Sequence, residues 1–124
     1  MQVTDHTVLD GKFQGKEIVE FRDFKAFECI NLNYIREAWF KDCDKLQAIE
    51  LPSTIDIIGA HAFYKCTGLT SVTIPDGVIS IGESAFEGCS SLRIALLPPS
   101  MIAVGNFAFY NCHKLTAVTI GNSV

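Results

Sequence analysis

Apolar residues recur at a fixed interval of 23 positions over most of this 124-residue chain. Three columns carry the pattern most clearly: Phe40, Phe63, Phe86 and Phe109; Leu46, Leu69, Leu92 and Leu115; and Ile58, Ile81 and Val104. A glycine follows each member of the last column. No insertion interrupts the interval between residues 35 and 124, which predicts an architecture of stacked, equivalent coils.

Within one interval, the order of apolar and polar residues predicts two short extended pieces and one compact turn. Residues 69–74 alternate between inward and outward positions, as in a half-buried strand, and Pro75 ends that strand. A turn leads into a second extended piece at 78–81, and Gly82 is expected to adopt a backbone conformation closed to other residues. Residues 83–91 are too few for an ordinary helix, so a single turn or a 3₁₀ segment is predicted.

A single coil of this kind is not expected to fold alone. Its larger inward side chains contribute about 1.5 to 3 kcal/mol each when buried, whereas ordering costs about 1.5 kcal/mol for every residue of the coil. Stacked coils share hydrogen-bonded ladders and bury each other's faces. The repetition therefore predicts a solenoid that becomes stable only as neighbouring coils accumulate.

One repeat also carries a more specific motif. Leu69, Val72 and Ile74 fit the L-x-x-L-x-L core of a leucine-rich repeat, and "IP", "V", "IG", "AF", "C" and "L" follow at fixed offsets. Over residues 35–124 this pattern resembles the BspA-type leucine-rich repeat family. The resemblance implies a curved right-handed solenoid with parallel strands on its concave face and short 3₁₀, single-turn and extended segments on its convex side. It also implies a surface or secreted protein that adheres to host or matrix proteins.

The two ends of the chain depart from the repeat. Residues 1–34 keep only part of the pattern and are predicted to form an irregular amino-terminal cap on about four 23-residue coils in 35–124. The last coil stops at Val124, just before its next "IG", "AF" and "C" are due, so it is expected to be truncated. Because unpaired strand edges are adhesive, a homodimer through this open edge is a second arrangement that the sequence suggests.

The composition of the chain and the positions of its histidines argue against several classes of function. The chain has 14 acidic and 10 basic residues and no basic run, which argues against a nucleic-acid partner. Neither a membrane-spanning stretch nor an export signal is predicted. His6, His61 and His113 occupy unrelated repeat positions, with no carboxylate recurring beside them. No catalytic, cofactor-binding or metal-binding residue is therefore predicted, and the chain is expected not to be an enzyme.

Four of the five cysteines form a further column, which consists of Cys43, Cys66, Cys89 and Cys112. Zinc sites need ligands a few residues apart or converging from two loops, whereas this spacing sets the sulfurs in a row. Adjacent strands lie about 4.8 Å apart, which a disulfide can span, but the side chains are expected to run parallel. Core packing is therefore the first interpretation, and disulfides and a metal site are the alternatives.

The outward positions of the strands vary from coil to coil. Small and polar residues prevail in two outward columns: Ala48, Ser71 and Ala117 in one, and Glu50, Thr73 and Thr119 in the other. One coil differs, because Ile94 and Leu96 stand in these columns beside Arg93. Two exposed aliphatic side chains next to an arginine are typical of the centre of a protein-binding patch. Self-association and the absence of any role are the alternatives.

These observations together predict a non-enzymatic protein-binding module without a cofactor. It would recognise host, matrix or other surface proteins through its concave face. The predicted site comprises two anchors, two rim charges and two neutral contacts: Ile94 and Leu96, Arg93 and Glu50, and Thr73 and Thr119. The alternative function is a structural spacer or self-associating module of a larger protein. A surface or secreted location is expected from the resemblance alone.

Overall fold

The structure, a computed structural model, describes residues 20–21, 33–49, 51 and 53–120, which form short parallel strands joined by turns. The strands are β1 (Glu20–Phe21), β2 (Tyr34–Ile35), β3 (Ala48–Ile49), β4 (Ile57–Ile58), β5 (Ser71–Thr73), β6 (Ser80–Ile81), β7 (Ile94–Leu97), β8 (Ala103–Val104) and β9 (Ala117–Ile120). From β2 onwards, each coil contains a two-residue strand, a six-residue turn segment and a second strand. Coils 1 to 4 are numbered here by their phenylalanines, Phe40, Phe63, Phe86 and Phe109. The predicted leucine-rich repeat solenoid is confirmed.

Strands pair in parallel with the equivalent strand of the next coil. β2, β4, β6 and β8 form one sheet, called here the short-strand ladder, and β5, β7 and β9 form another, called the long-strand face. Paired residues, such as Ile58 with Ile81 and Leu96 with Thr119, are 23 positions apart in both sheets. Because the register repeats the sequence interval, the columns read from the sequence are physical columns along the stack.

The turn segments, residues 37–42, 60–65, 83–88 and 106–111, consist of hydrogen-bonded turns. Two positions in each segment have positive φ; in coil 2 they are His61 at 58° and Lys65 at 57°. Left-handed residues interrupt a right-handed helical run. The compact turn predicted from the sequence is therefore present, but none of the residues that the structure describes lies in a 3₁₀ or α-helix.

Backbone hydrogen bonds between turn segments run forward along the chain. The amide of His61 in coil 2 donates to the carbonyl oxygen of Glu83 in coil 3 at 2.9 Å, and two further alternate amides of the same segment do likewise. The same three forward bonds link coils 1 and 2 and coils 3 and 4. At the short-strand ladder the bonds run in the opposite direction. The amide of Gly82 in coil 3 donates to the carbonyl oxygen of Ile58 in coil 2 at 2.8 Å. Each pair of coils is thus tied by bonds of both directions.

The phenylalanine column forms the centre of the core. Successive rings stack with centroids 5.1, 5.0 and 5.4 Å apart and with their planes within 7° of parallel. Phe40, Phe63 and Phe86 are fully buried, and Phe109 is partly buried. The inward leucine, isoleucine and alanine columns of coils 1 to 3 are buried around this stack. Parallel rings at this distance are in van der Waals contact, so the stack fits the spacing that the strand ladders give the coils.

The glycine column allows close packing between coils, and the conformational role predicted for it is wrong. Gly59, Gly82 and Gly105 are absent from the residues with positive φ. A Cβ atom added to Gly82 would lie 2.5 Å from the amide nitrogen of Ala60 and 2.8 Å from its Cα. The preceding coil's backbone therefore occupies the space that a side chain would need. A positive φ of 97° occurs instead at Gly77, in the turn after Pro75.

Parallel pairing extends into the segment predicted as the amino-terminal cap. β1 pairs with β3, with Glu20 opposite Ala48, so these partners are 28 positions apart and the connection is longer than one repeat. Most of residues 1–34 and all of 121–124 lie outside the described residues. The division into cap and coils at residue 34, and the truncation of the last coil, stay predictions.

Candidate protein-binding face

The long-strand face presents Ile94 and Leu96 to solvent, as the strand alternation predicts. Their side chains are 44% and 41% exposed, whereas the inward Ala95 between them is buried. The register gives each of them two neighbours: Ser71 and Ala117 beside Ile94, and Thr73 and Thr119 beside Leu96. Because all four neighbours are smaller, the two aliphatic side chains stand above a floor of short side chains.

Of the polar residues predicted around this pair, two lie on the same face by register, Thr73 and Thr119, and Arg93 lies next to it in the chain. Arg93 is exposed and directly precedes β7. Its amide donates to the carbonyl oxygen of Thr70 at 2.9 Å, and its own carbonyl accepts from the amide of Thr116 at 3.0 Å. The backbone of Arg93 is therefore held on both sides next to Ile94. Thr73 and Thr119 are exposed, and Glu50 lies outside the described residues.

Two further sets of exposed apolar side chains lie outside the predicted site. The first follows the short-strand ladder and consists of Tyr34, Ile57, Ile79 and Ile102. The second lies in the turn segments, where Phe107 and Tyr110 are exposed. The outward positions of residues 78–81 could have revealed the first set. The second set gives a weak sequence signal, because the column of Tyr110 contains only one other tyrosine, Tyr64, and the column of Phe107 contains a different residue type in each coil.

The cysteine column packs in the core, as its spacing predicts. Cys66, Cys89 and Cys112 each donate a thiol hydrogen bond to the phenylalanine carbonyl one coil back, with S···O distances of 3.1, 3.2 and 3.1 Å. Burial raises the pKa of these three thiols, which therefore stay protonated and able to donate. The four cysteines of the column are free thiols. Across the described ranges, the structure holds no group of three or more potential metal ligands.

A family model described as the BspA type leucine rich repeat region matches residues 16–124 in six copies. None of the curated proteins compared with the chain matches it. Solved structures do match. A leucine rich cell surface protein from Faecalibacterium prausnitzii A2-165 is 30% identical with a TM-score of 0.68, over 74% of this chain and 27% of that protein.

Two other solved structures are similar. The leucine rich repeat protein of T. pallidum is 31% identical with a TM-score of 0.65, over 87% of this chain and 58% of that one. A leucine-rich repeat protein from Bacteroides ovatus ATCC 8483 is 26% identical with a TM-score of 0.57, over 83% of this chain and 36% of that one. The chain thus spans between 27% and 58% of the three proteins. Its described part contains no helix of the length and hydrophobicity that crossing a membrane requires.

Proposed function

Because the chain belongs to the BspA type leucine-rich repeat family, we propose that it is a non-enzymatic module that binds another protein through its long-strand face. Leucine-rich repeats and other solenoids generally use the extended surface of their stacked strands for protein interaction. The proposed target is a protein of a host surface or extracellular matrix, and the proposed location is the cell surface or the medium. One of the similar structures is named as a cell surface protein.

A single observation carries the proposal, and it is the exposed pair Ile94 and Leu96 on β7. Covering an aliphatic side chain completely contributes about 1.5 to 3 kcal/mol relative to leaving it in water. Two such side chains two residues apart on one strand point the same way, so one partner surface can cover both. Apolar anchors of this kind contribute most of the affinity in protein interfaces when a polar rim excludes water around them.

The positive charge of Arg93 indicates which chemical groups the partner surface would carry. Arg93 adjoins Ile94 and is exposed, with its backbone fixed at both its amide and its carbonyl. A guanidinium in this position can pair with a carboxylate in two parallel hydrogen bonds. The proposed partner surface therefore combines an apolar depression with an acidic residue at its margin. Glu50 would contribute a second rim charge, and Thr73 and Thr119 would add neutral contacts.

Replacing both anchors by glutamate is expected to abolish partner binding while the fold stays intact. Ile94→Glu with Leu96→Glu places two charges where the interface would exclude water, so we expect an affinity loss of at least about 30-fold. The measurement is capture of proteins from extracellular-matrix and cell-surface extracts by the immobilised chain. Each captured protein would then be identified and its affinity measured by titration with the purified chain.

The matched control is Ile57→Glu, which places the same charge on the short-strand ladder at a residue of similar exposure, 41%. This variant is expected to capture the same partner as the native chain. Light scattering and thermal unfolding of all three proteins would establish equal mass and an intact fold. If the double variant binds its partner as tightly as the native chain, the long-strand face is not the site.

Self-association is a second candidate, favoured by the apolar surface of coil 4. Val104 is 46% exposed and Val118 is 47% exposed, although their equivalents in coil 3, Ile81 and Ala95, are buried. A second copy stacked against coil 4 would cover these side chains. Self-association of this kind predicts a dimer at high micromolar concentration. Val118→Lys is expected to disrupt the dimer, and sedimentation velocity would measure the change. A chain that remains monomeric at this concentration would rule the candidate out.

A further inference from the structure

Two aromatic pairs occupy equivalent positions in the turn segments of coils 2 and 4. His61 and Tyr64 have ring centroids 5.4 Å apart at an interplanar angle of 59°. Phe107 and Tyr110 have centroids 5.4 Å apart at 68°. The two members of each pair are three residues apart, and both pairs start at a residue with positive φ. The two turn segments thus present the same arrangement of tilted rings.

Both pairs face outward and lie on a surface different from the long-strand face. Phe107 and Tyr110 are 57% and 54% exposed, and His61 and Tyr64 are half-buried. The residues between the two rings of each pair point inward; Phe63, for example, is fully buried in the aromatic stack. Coils stacked on both sides of coil 2 leave the rings of His61 and Tyr64 accessible from outside. The coil 2 pair is thus less exposed than the coil 4 pair, but both pairs are accessible from outside.

The distance between the pairs follows from the stack behind them. Phe63, Phe86 and Phe109 are separated by two steps of 5.0 and 5.4 Å, so the coils that carry the pairs are about 10 Å apart at the core. A polyproline II helix has three residues per turn and rises about 3.1 Å per residue, which gives about 9.3 Å per turn. Residues i and i+3 of such a helix point the same way. They can therefore reach both aromatic pairs at once.

Charged side chains mark the middle and one side of this surface. Glu87, in coil 3 between the pairs, accepts a hydrogen bond of 2.8 Å from the hydroxyl of Ser84, which orients its carboxylate. The ammonium groups of Lys41 and Lys65 lie 5.7 and 5.3 Å from the ring centroid of Tyr64. Negative charge therefore lies between the pairs and positive charge lies around the coil 2 pair.

We infer that this surface binds a proline-rich segment in the polyproline II conformation, running along the stack across coils 2 to 4. Prolines at i and i+3 pack against the two aromatic pairs, a basic residue between them meets Glu87, and an acidic residue beyond the coil 2 proline meets Lys41 and Lys65. Rings tilted by 59° and 68° form angled notches that suit a pyrrolidine ring, as in other aromatic-lined sites for proline-rich segments. Flat sugar rings would instead need a coplanar platform.

The test uses synthetic peptides with the core Glu-Pro-Ala-Lys-Pro and with its reversed order, because a polyproline II helix can bind in either direction. A second pair of peptides exchanges the glutamate and the lysine and so keeps the composition. Titration calorimetry with the native chain is expected to show binding of a first-pair peptide that is at least about tenfold tighter than that of its charge-exchanged counterpart. Tyr64→Ala and Tyr110→Ala are each expected to weaken that binding by about tenfold or more.

Two control variants test whether the peptide binds at this surface rather than at the long-strand face, and a stability measurement tests whether each variant is folded. The variant with Ile94→Glu and Leu96→Glu is expected to bind the peptide as the native chain does, so this result is independent of the function proposed for the long-strand face. Glu87→Gln keeps an acceptor for Ser84 and is expected to remove the discrimination between the two charge orders. Thermal unfolding of each variant would verify the fold.

Three results would overturn the inference. One is equal affinity, or none, for the two charge orders. Another is loss of peptide binding in the Ile94 and Leu96 variant with retention in both tyrosine variants. The third is binding of a β-1,4-linked glucan oligosaccharide that requires Tyr64 and Tyr110, while the peptides do not bind; the aromatic pairs would then form a carbohydrate site.

Discussion

Gly82→Ala is expected to lower the free energy of unfolding by about 3 kcal/mol or more. The new Cβ would lie 2.5 Å from the amide nitrogen of Ala60 and 2.8 Å from the carbonyl carbon of Gly59. Both are backbone atoms, so no change of side-chain rotamer relieves the overlap. Coils 2 and 3 would have to separate where the amide of Gly82 bonds to Ile58. Urea unfolding followed by circular dichroism would measure the loss as a change in midpoint.

Gly77→Ala is the matched control for this prediction. Nothing lies within 4 Å of a Cβ atom at Gly77, but its φ of 97° is unfavourable for alanine. Only the cost of a left-handed backbone, about 1 to 2 kcal/mol, is expected there. If Gly82→Ala were no more destabilising than Gly77→Ala, the close approach of the coils could not be the reason for the glycine column.

Phe63→Ala is expected to cost about 3 to 5 kcal/mol of stability. The ring is fully buried and stacks on both sides, at 5.1 Å from Phe40 and 5.0 Å from Phe86. Its removal would leave a cavity between three coils, and a solenoid coil interacts only with its neighbours. We therefore expect coils 1 and 3 to lose their coupling, so that the urea transition broadens as well as shifts.

Phe109→Ala is the comparison for that result. Phe109 is partly buried and stacks on Phe86 at 5.4 Å, so its truncation removes less buried surface. We expect a smaller loss than at Phe63 and a transition of unchanged width. Equal losses at the two positions would show that the aromatic stack does not couple the coils.

The sequence predicted those features that depend on which side of the chain a residue occupies. Ile94 and Leu96 share strand positions with Ser71 and Thr73, so a fixed period was sufficient to place them on the outer surface. The cysteine column was assigned to the core for the same reason. A period of 23 residues, once recognised, assigns inward and outward positions without further knowledge of the backbone.

Features that depend on distances between coils could not be predicted in this way. The sequence shows that glycine recurs at the position of Gly82. The same recurrence would be seen whether a positive φ or a close backbone neighbour requires glycine there. The pairing of His61 with Tyr64 and of Phe107 with Tyr110 could not be predicted, because Ser84 and Glu87 occupy the same two columns in coil 3. Their relation became visible only when the structure placed residues three positions apart with their rings in contact.

The forward hydrogen bonds of the turn segments give that side of the stack an electrical polarity. The carbonyl of Ala60 accepts from Ala38, and the amide of the same peptide group, on His61, donates to Glu83. Peptide dipoles thus align head to tail in three parallel rows, as they do in an α-helix. The negative pole points toward coil 1, where Lys41 lies, and the positive pole toward coil 4. Because each further repeat would lengthen all three rows, the number of repeats sets the dipole along this side, while backward bonds such as that from Arg93 to Thr70 oppose it at the strands.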